Sequence, residues 1–223
     1  GRVSIDLIYA RPGQTVGAWR AELTEAIALG PEHVSPYQLT IEPETAFGRA
    51  YRRGNLIPPP EDDQESLYDV TQEILEAAGL TAYEVSNHAR GEAARSAHNL
   101  AVWRGVEYLG VGPGAHGRLN LDGARTATAA HRRIPDYIAA VNATGRGFAE
   151  TDPLSPLAAA EERLMLGLRT VEGVALDPLA PLDLDDRIAS LTDDGFLAIS
   201  RGRLAATPRG RKVLDGVLRA LLV

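Results

Sequence analysis

The chain has 223 residues, 44% hydrophobic and 24% charged, a globular composition that suits one long domain or two smaller ones. Its 23 basic side chains face 30 acidic ones, a net charge of −7, so the basic surplus that generic binding to a phosphate backbone requires is missing. Cysteine is absent, which excludes disulfides, thiolate metal sites, cysteine nucleophiles and Fe–S ligation by the chain's own residues.

Val3 to Tyr9 is a short β-branched run ended by Pro12-Gly13, the pattern of a buried strand. Thr15 then caps a helix to about Leu29, with Trp19, Leu23, Ala26 and Ile27 on one face and Gly30-Pro31 as the stop. His33 to Thr40 reads as a second strand, and Ile41 to Pro60 as an irregular excursion rich in Pro and Arg. Glu61 opens a long helix whose Leu67, Val70, Ile74, Leu75 and Ala78 recur at helical spacing up to Gly79. Tyr83 to Ser86 and Tyr108 to Val111 are the third and fourth strand candidates. Strands alternating with helices predict right-handed βαβ units and a parallel sheet. Three or four strands are too few to close a barrel, whose familiar form has eight, so residues 1–150 read as part of one.

Asn120 to Gly123 predicts a hairpin turn, and Pro135 begins a helix to about Ala143. Thr151 to Pro156 marks a boundary. Beyond it come a helix from Ala158 to Val171, another from Asp185 to Asp194, a hairpin around Ser200-Arg201-Gly202, and a last helix capped by Thr207-Pro208. That order predicts a small winged-helix-like domain over 151–223. The fold class expected is therefore α/β, a partial (β/α) barrel followed by a small α+β domain. No apolar run approaches the roughly 18 residues of a membrane span, so the chain reads as soluble and cytoplasmic, without an integral membrane segment.

Three segments carry the candidate chemistry. In the first, Asp6 sits inside an apolar strand, where a carboxylate is costly to bury unless paired. It either faces a ligand at the sheet or bonds neighbouring backbone amides. The second crowds His88, His98, Asn99 and Trp103 into a stretch without regular periodicity, read as loop. His98 could serve as an axial ligand and Trp103 as a stacking face for a planar cofactor. The bland alternatives are a histidine bonded to its own loop and a tryptophan anchoring the core. The third, Gly110 to Gly117, contains a literal Gly-x-Gly-x-x-Gly at 112, 114 and 117. No helix start falls within its glycines, so the dinucleotide reading is rejected, and the glycines are read as permitting close backbone approach at a strand end.

These motifs together resemble one family, the HemW-type heme chaperones. The resemblance rests on Asp-Leu-Ile-Tyr with Pro-Gly-Gln-Thr (Asp6 to Thr15), Ser35 to Pro43, Tyr83 to Arg90, His-Asn-Leu-x-x-Trp (His98 to Trp103) and Tyr108 to His116. It continues through Glu162 to Arg169, Leu191 to Phe196 and Leu204 to Gly210. The family belongs to the radical S-adenosylmethionine (SAM) proteins and is related to oxygen-independent coproporphyrinogen III oxidase. Two departures stand out: Ala10-Arg11 replaces the family's Gly-Leu, and Val102 replaces the Tyr of its His-Asn-x-x-Tyr-Trp motif.

The resemblance implies heme binding, with His98 as the candidate iron ligand and Asn99 and Trp103 shaping its surroundings. It implies SAM contacts at Asp6, Thr40 and His116. The family's [4Fe–4S] cluster is held by a cysteine motif upstream of the first strand here, so the chain looks like the carboxyl-terminal part of such a protein. Heme-requiring respiratory enzymes would then be the acceptors, and a cut sheet edge makes a homodimer possible. Two other classes compete. One is a coproporphyrinogen III oxidase, an oxidative decarboxylase of porphyrin biosynthesis that would need the cluster. The other is a winged-helix DNA-binding regulator, which Asp183, Asp185, Asp186, Asp193 and Asp194 around the expected recognition helix oppose, so no nucleic-acid partner is expected.

Overall fold

The computed structural model describes residues 2–223, and the chain divides into two compact units, Gly1–Ser96 and Ala97–Val223. The first contains β1 (Ser4–Tyr9), α1 (Val16–Ala28), β2 (His33–Gln38), α2 (Ala46–Arg52), α3 (Glu61–Ala77), β3 (Thr81–Ala82) and β4 (His88–Ala89). β1 and β2 are parallel, with Ser4 opposite His33 and Tyr9 opposite Gln38, so β1-α1-β2 is the expected βαβ unit. Thr15 caps α1 by accepting the Ala18 N–H at 3.2 Å, and Gly30 ends it in the left-handed conformation at φ +72°.

One face of this sheet packs against α1 and α3. Tyr9, Trp19, Leu23, Val34, Leu67, Val70 and Leu75 form the core there. Trp19 is fully buried, stacks on Tyr9 at 5.5 Å, and donates its Nε1–H to Thr71 Oγ1 at 2.8 Å, so its one polar group is satisfied. The excursion between β2 and α3 holds a helix that the sequence pattern did not announce. This is α2, capped by Thr45 through the Gly48 N–H.

The third parallel strand expected at Tyr83–Ser86 does not form. β3 and β4 are an antiparallel pair, β4 runs antiparallel to β2, and the sheet order is β1-β2-β4-β3. Residues 83–87 make the connecting turn because Glu84 captures the local donors. Its Oε1 accepts the Ser86 N–H at 2.9 Å and the Asn87 side-chain amide.

The second unit runs α4 (Ala97–Trp103), β5 (His116–Leu121), β6 (Ala124–Ala130), α5 (Ile134–Thr144), β7 (Phe148–Pro153), α6 (Pro156–Gly167), β8 (Val174–Ala175), α7 (Asp185–Asp193), β9 (Leu197–Ser200), β10 (Arg203–Ala206), α8 (Pro208–Lys212) and α9 (Leu214–Leu222). β5, β6 and β7 form an antiparallel meander. Its first turn is Asp122-Gly123 with both φ positive, the geometry a two-residue hairpin favours. The strand expected at Tyr108–Val111 is reduced to a single bridge from Tyr108 to Arg118. Gly110 crosses His116 too closely to admit a side chain, and Gly112 and Gly114 take positive φ, so the segment loops back instead of extending. These glycines let the backbone approach its own chain.

The boundary expected at residue 150 falls within β7, whose Thr151 and Asp152 pair with Thr128 and Ala127. After β7 the elements come in the expected order: α6, α7, the β9–β10 hairpin and a final helix. Two details are added. β8 completes a three-stranded sheet of order β8-β10-β9, and the last helix breaks at Val213 into α8 and α9.

Candidate functional site

His98 lies on α4, so the segment read as loop is helical. Ala97, Leu100 and Ala101 are good helix formers, and Leu100, 8% exposed, anchors the segment. Helical spacing then sorts the motif. His98 and Val102, four residues apart, share one face, while Asn99 and Trp103 share the neighbouring one. His98 is exposed, and among the described residues no hydrogen bond reaches its imidazole. A histidine satisfied by its own loop is not what the structure contains.

Trp103 is partly buried and held from within the second unit. The Arg169 guanidinium carbon lies 5.3 Å from its ring centroid, a cation–π contact. Its Nε1 is buried with no hydrogen-bond partner among the described residues. The indole thus serves partly as an anchor, and it does not share a helix face with His98.

The residues expected to contact SAM are distributed between the units. Asp6 is mid-strand in β1, level with Ser35, and exposed; Thr40 lies beyond the end of β2. They occupy different levels of the sheet. His116 is exposed at the start of β5 in the second unit, opposite Ala129. Because Asp6 reaches solvent, its place in an apolar strand carries no burial cost.

Three polar arrangements escaped the sequence reading. His33, buried in β2, links Ser4 Oγ to Nδ1 and Tyr83 Oη to Nε2, each at 2.9 Å, and Tyr83 Oη also accepts the Ser96 N–H at 3.3 Å. Burial lowers the His33 pKa, the nearby Asp6 carboxylate opposes that shift, and Arg2 reinforces it. In the second unit Glu162 bridges Arg118 Nε and Arg125 Nε at 2.6 Å each. Burial would raise its carboxyl pKa, but the hydrogen bonds and charges of the two arginines outweigh it, and the net shift is downward. The third is a cavity of about 250 Å³ beside Trp103, lined also by Arg104, Arg163, Arg203, Glu172 and Gly173. No spacing in the sequence announces any of these, because each joins residues far apart in the chain. His88 is the opposite case: 1% exposed, with Nε2 on Gln72 Oε1 at 3.1 Å, it is a core histidine.

Among the described residues no group of three or more His, Cys, Asp or Glu side chains could hold a metal ion, and no helix is long and apolar enough to cross a membrane. With no cysteine in the sequence, the residues present do not fit a thiolate-held [4Fe–4S] cluster. For a porphyrin iron the donor set does fit, since His98 presents an accessible imidazole nitrogen.

Residues 154–213 match the HemN C-terminal domain family. The chain is 36% identical to "Radical S-adenosyl methionine domain-containing protein 1, mitochondrial" of Danio rerio, over 100% of this chain and 53% of that protein. It is 31% identical to heme chaperone HemW of Bacillus subtilis, over 99% of this chain and 59% of that protein. It is 34% identical to HemW of Mycobacterium tuberculosis, over 99% and 55%. The solved structure of coproporphyrinogen III oxidase (HemN) from Escherichia coli, a radical SAM enzyme, shares the fold. Its TM-score is 0.73 at 18% identity, covering 99% of this chain and 54% of that one. The chain spans about half the length of the curated relatives it matches.

Proposed function

From its match to the carboxyl-terminal part of the HemW-type family, we propose that this chain is the heme-carrying part of a heme chaperone. The observation that carries the reading is His98: an accessible imidazole with no hydrogen bond among the described residues, one turn from Val102 on α4. A neutral imidazole nitrogen donates a lone pair to ferric or ferrous iron, and an exposed helix face leaves room for the macrocycle. Heme is the cargo here, passed on to heme-requiring respiratory enzymes in the cytoplasm.

When bound, SAM with its cluster supplies reductive cleavage chemistry, and this chain's residues cannot hold that cluster. What the first unit offers SAM is hydrogen bonding, with Asp6 as an acceptor and Thr40 as a hydroxyl, both exposed; in the second unit His116 offers an exposed imidazole.

Hemin titration followed by the Soret band tests the proposal. The parent should give a shifted, saturable band, and His98→Ala should weaken binding at least tenfold, whereas His88→Ala and His131→Ala should not. A folded His98→Ala that binds as the parent does would overturn it.

A further inference from the structure

The cavity beside Trp103 is built to receive negative charge. Three guanidinium groups, from Arg104, Arg163 and Arg203, meet there with one carboxylate, Glu172, so its walls carry a net positive charge. Arg104 spends its fork on Glu172, with Nε and Nη2 at 3.0 and 2.6 Å from the two oxygens. Arg203 donates Nε to the Glu172 carbonyl at 2.8 Å and Nη2 to the Gly173 carbonyl at 2.6 Å. Arg163 donates Nη1 to the Arg104 carbonyl at 3.2 Å.

A guanidinium has five N–H donors, so Arg163 and Arg203 each retain several after these bonds. Trp103 lines the same cavity, so its fluorescence reports on an occupant. The donors left over outnumber the one carboxylate there, Glu172, which Arg104 already engages. Its volume, about 250 Å³, lies just below the usual range for small-molecule pockets and is too small for a tetrapyrrole ring. It suits a carboxylate on a short chain, which planar guanidinium forks bind well.

We propose that this cavity is a carboxylate-binding site. The carboxylate has two possible sources: a free small organic acid, or a propionate side chain of the tetrapyrrole carried on α4. The second source rests on the heme reading above, and the first does not.

The test has two arms on the full chain, each run on the parent, Arg163→Gln and the charge-retaining Arg163→Lys, with circular dichroism to establish folding. In the first arm, succinate is titrated at constant ionic strength against sodium chloride, with tryptophan fluorescence as the readout. Trp103→Phe isolates the signal of Trp19, the other of the two tryptophans. A saturable Trp103 response that Arg163→Gln abolishes and Arg163→Lys largely keeps supports a free-acid site. In the second arm, hemin is compared with its dimethyl ester, which keeps the iron but loses both carboxylates. A preference for hemin of about tenfold, erased by Arg163→Gln, supports the propionate source. Loss of ester binding in His98→Ala reports on the heme reading separately. The proposal is overturned if succinate leaves Trp103 unchanged and hemin either binds no better than its ester or does not bind at all.

Discussion

His98 and its neighbours show how much a single helical turn can decide. The resemblance puts a tyrosine where Val102 stands, and α4 places that position on the same face as His98. Val102→Tyr should therefore tighten hemin binding severalfold by adding an aromatic edge beside the iron ligand, read from the same Soret titration. An unchanged affinity would show that the departure at 102 is not a defect. Ala10 explains the other departure. Its φ is +58°, in the left-handed region that favours glycine, and alanine is the smallest chiral residue able to take glycine's place there. Glu162 supplies a pH-dependent prediction. Its folded pKa is lowered, so its stabilisation is complete above the ordinary carboxylate value of about 4.3 and fades as pH falls through the lowered one. Glu162→Gln should cost about 1.5–3 kcal/mol at pH 7, and the gap from the parent in chemical denaturation should narrow in acid. A gap that stays constant with pH would contradict the ion-pair assignment.

The elements legible in the sequence are those with one dominant local signal. α1 announces itself through Thr15, the apolar face around Trp19 and Leu23, and Gly30; α3 does so through its regular apolar spacing. The β9–β10 hairpin follows from a turn at Arg201-Gly202, both left-handed. Elements set by competition were not legible. Tyr83 to Ser86 has strand composition, but the Glu84 carboxylate ties up the backbone and folds it into a turn. Tyr108 to Val111 loses its pairing to glycine-permitted crossings, and β7 hides within a stretch rich in turn formers because β6 supplies its partners. The site divides the same way. His98 was legible as a motif, whereas the arginine cavity depends on α4, α6 and β10 meeting, which no local pattern encodes. Within this unit Gly173 joins α6 to β8 at φ +67°, with Ala205 Cβ 2.8 Å from where its own Cβ would stand. Gly173→Ala should cost about 2–4 kcal/mol from the left-handed backbone and the overlap together, measured as a lowered denaturation midpoint. A loss below about 0.5 kcal/mol would mean the junction adjusts freely.

At the scale of the whole molecule, the open side of β1 governs behaviour. β1 is the edge of its sheet, and Val3 and Ile8 are both 49% exposed. A sheet edge with unpaired backbone groups and exposed apolar side chains is a template for another strand. The chain should dimerise or aggregate as concentration rises, and Ile8→Lys should suppress this in light scattering; a monodisperse monomer throughout would contradict it. Iron–sulfide reconstitution should give no cluster absorbance, because no thiolate is present. Heme carriage by His98 is tested most directly by pulsed electron paramagnetic resonance on the ferric heme complex. The parent should show nitrogen coupling from an axial imidazole. That coupling should vanish in folded His98→Ala and return when free imidazole is added. The same nitrogen coupling in His98→Ala without imidazole would show that another residue holds the iron.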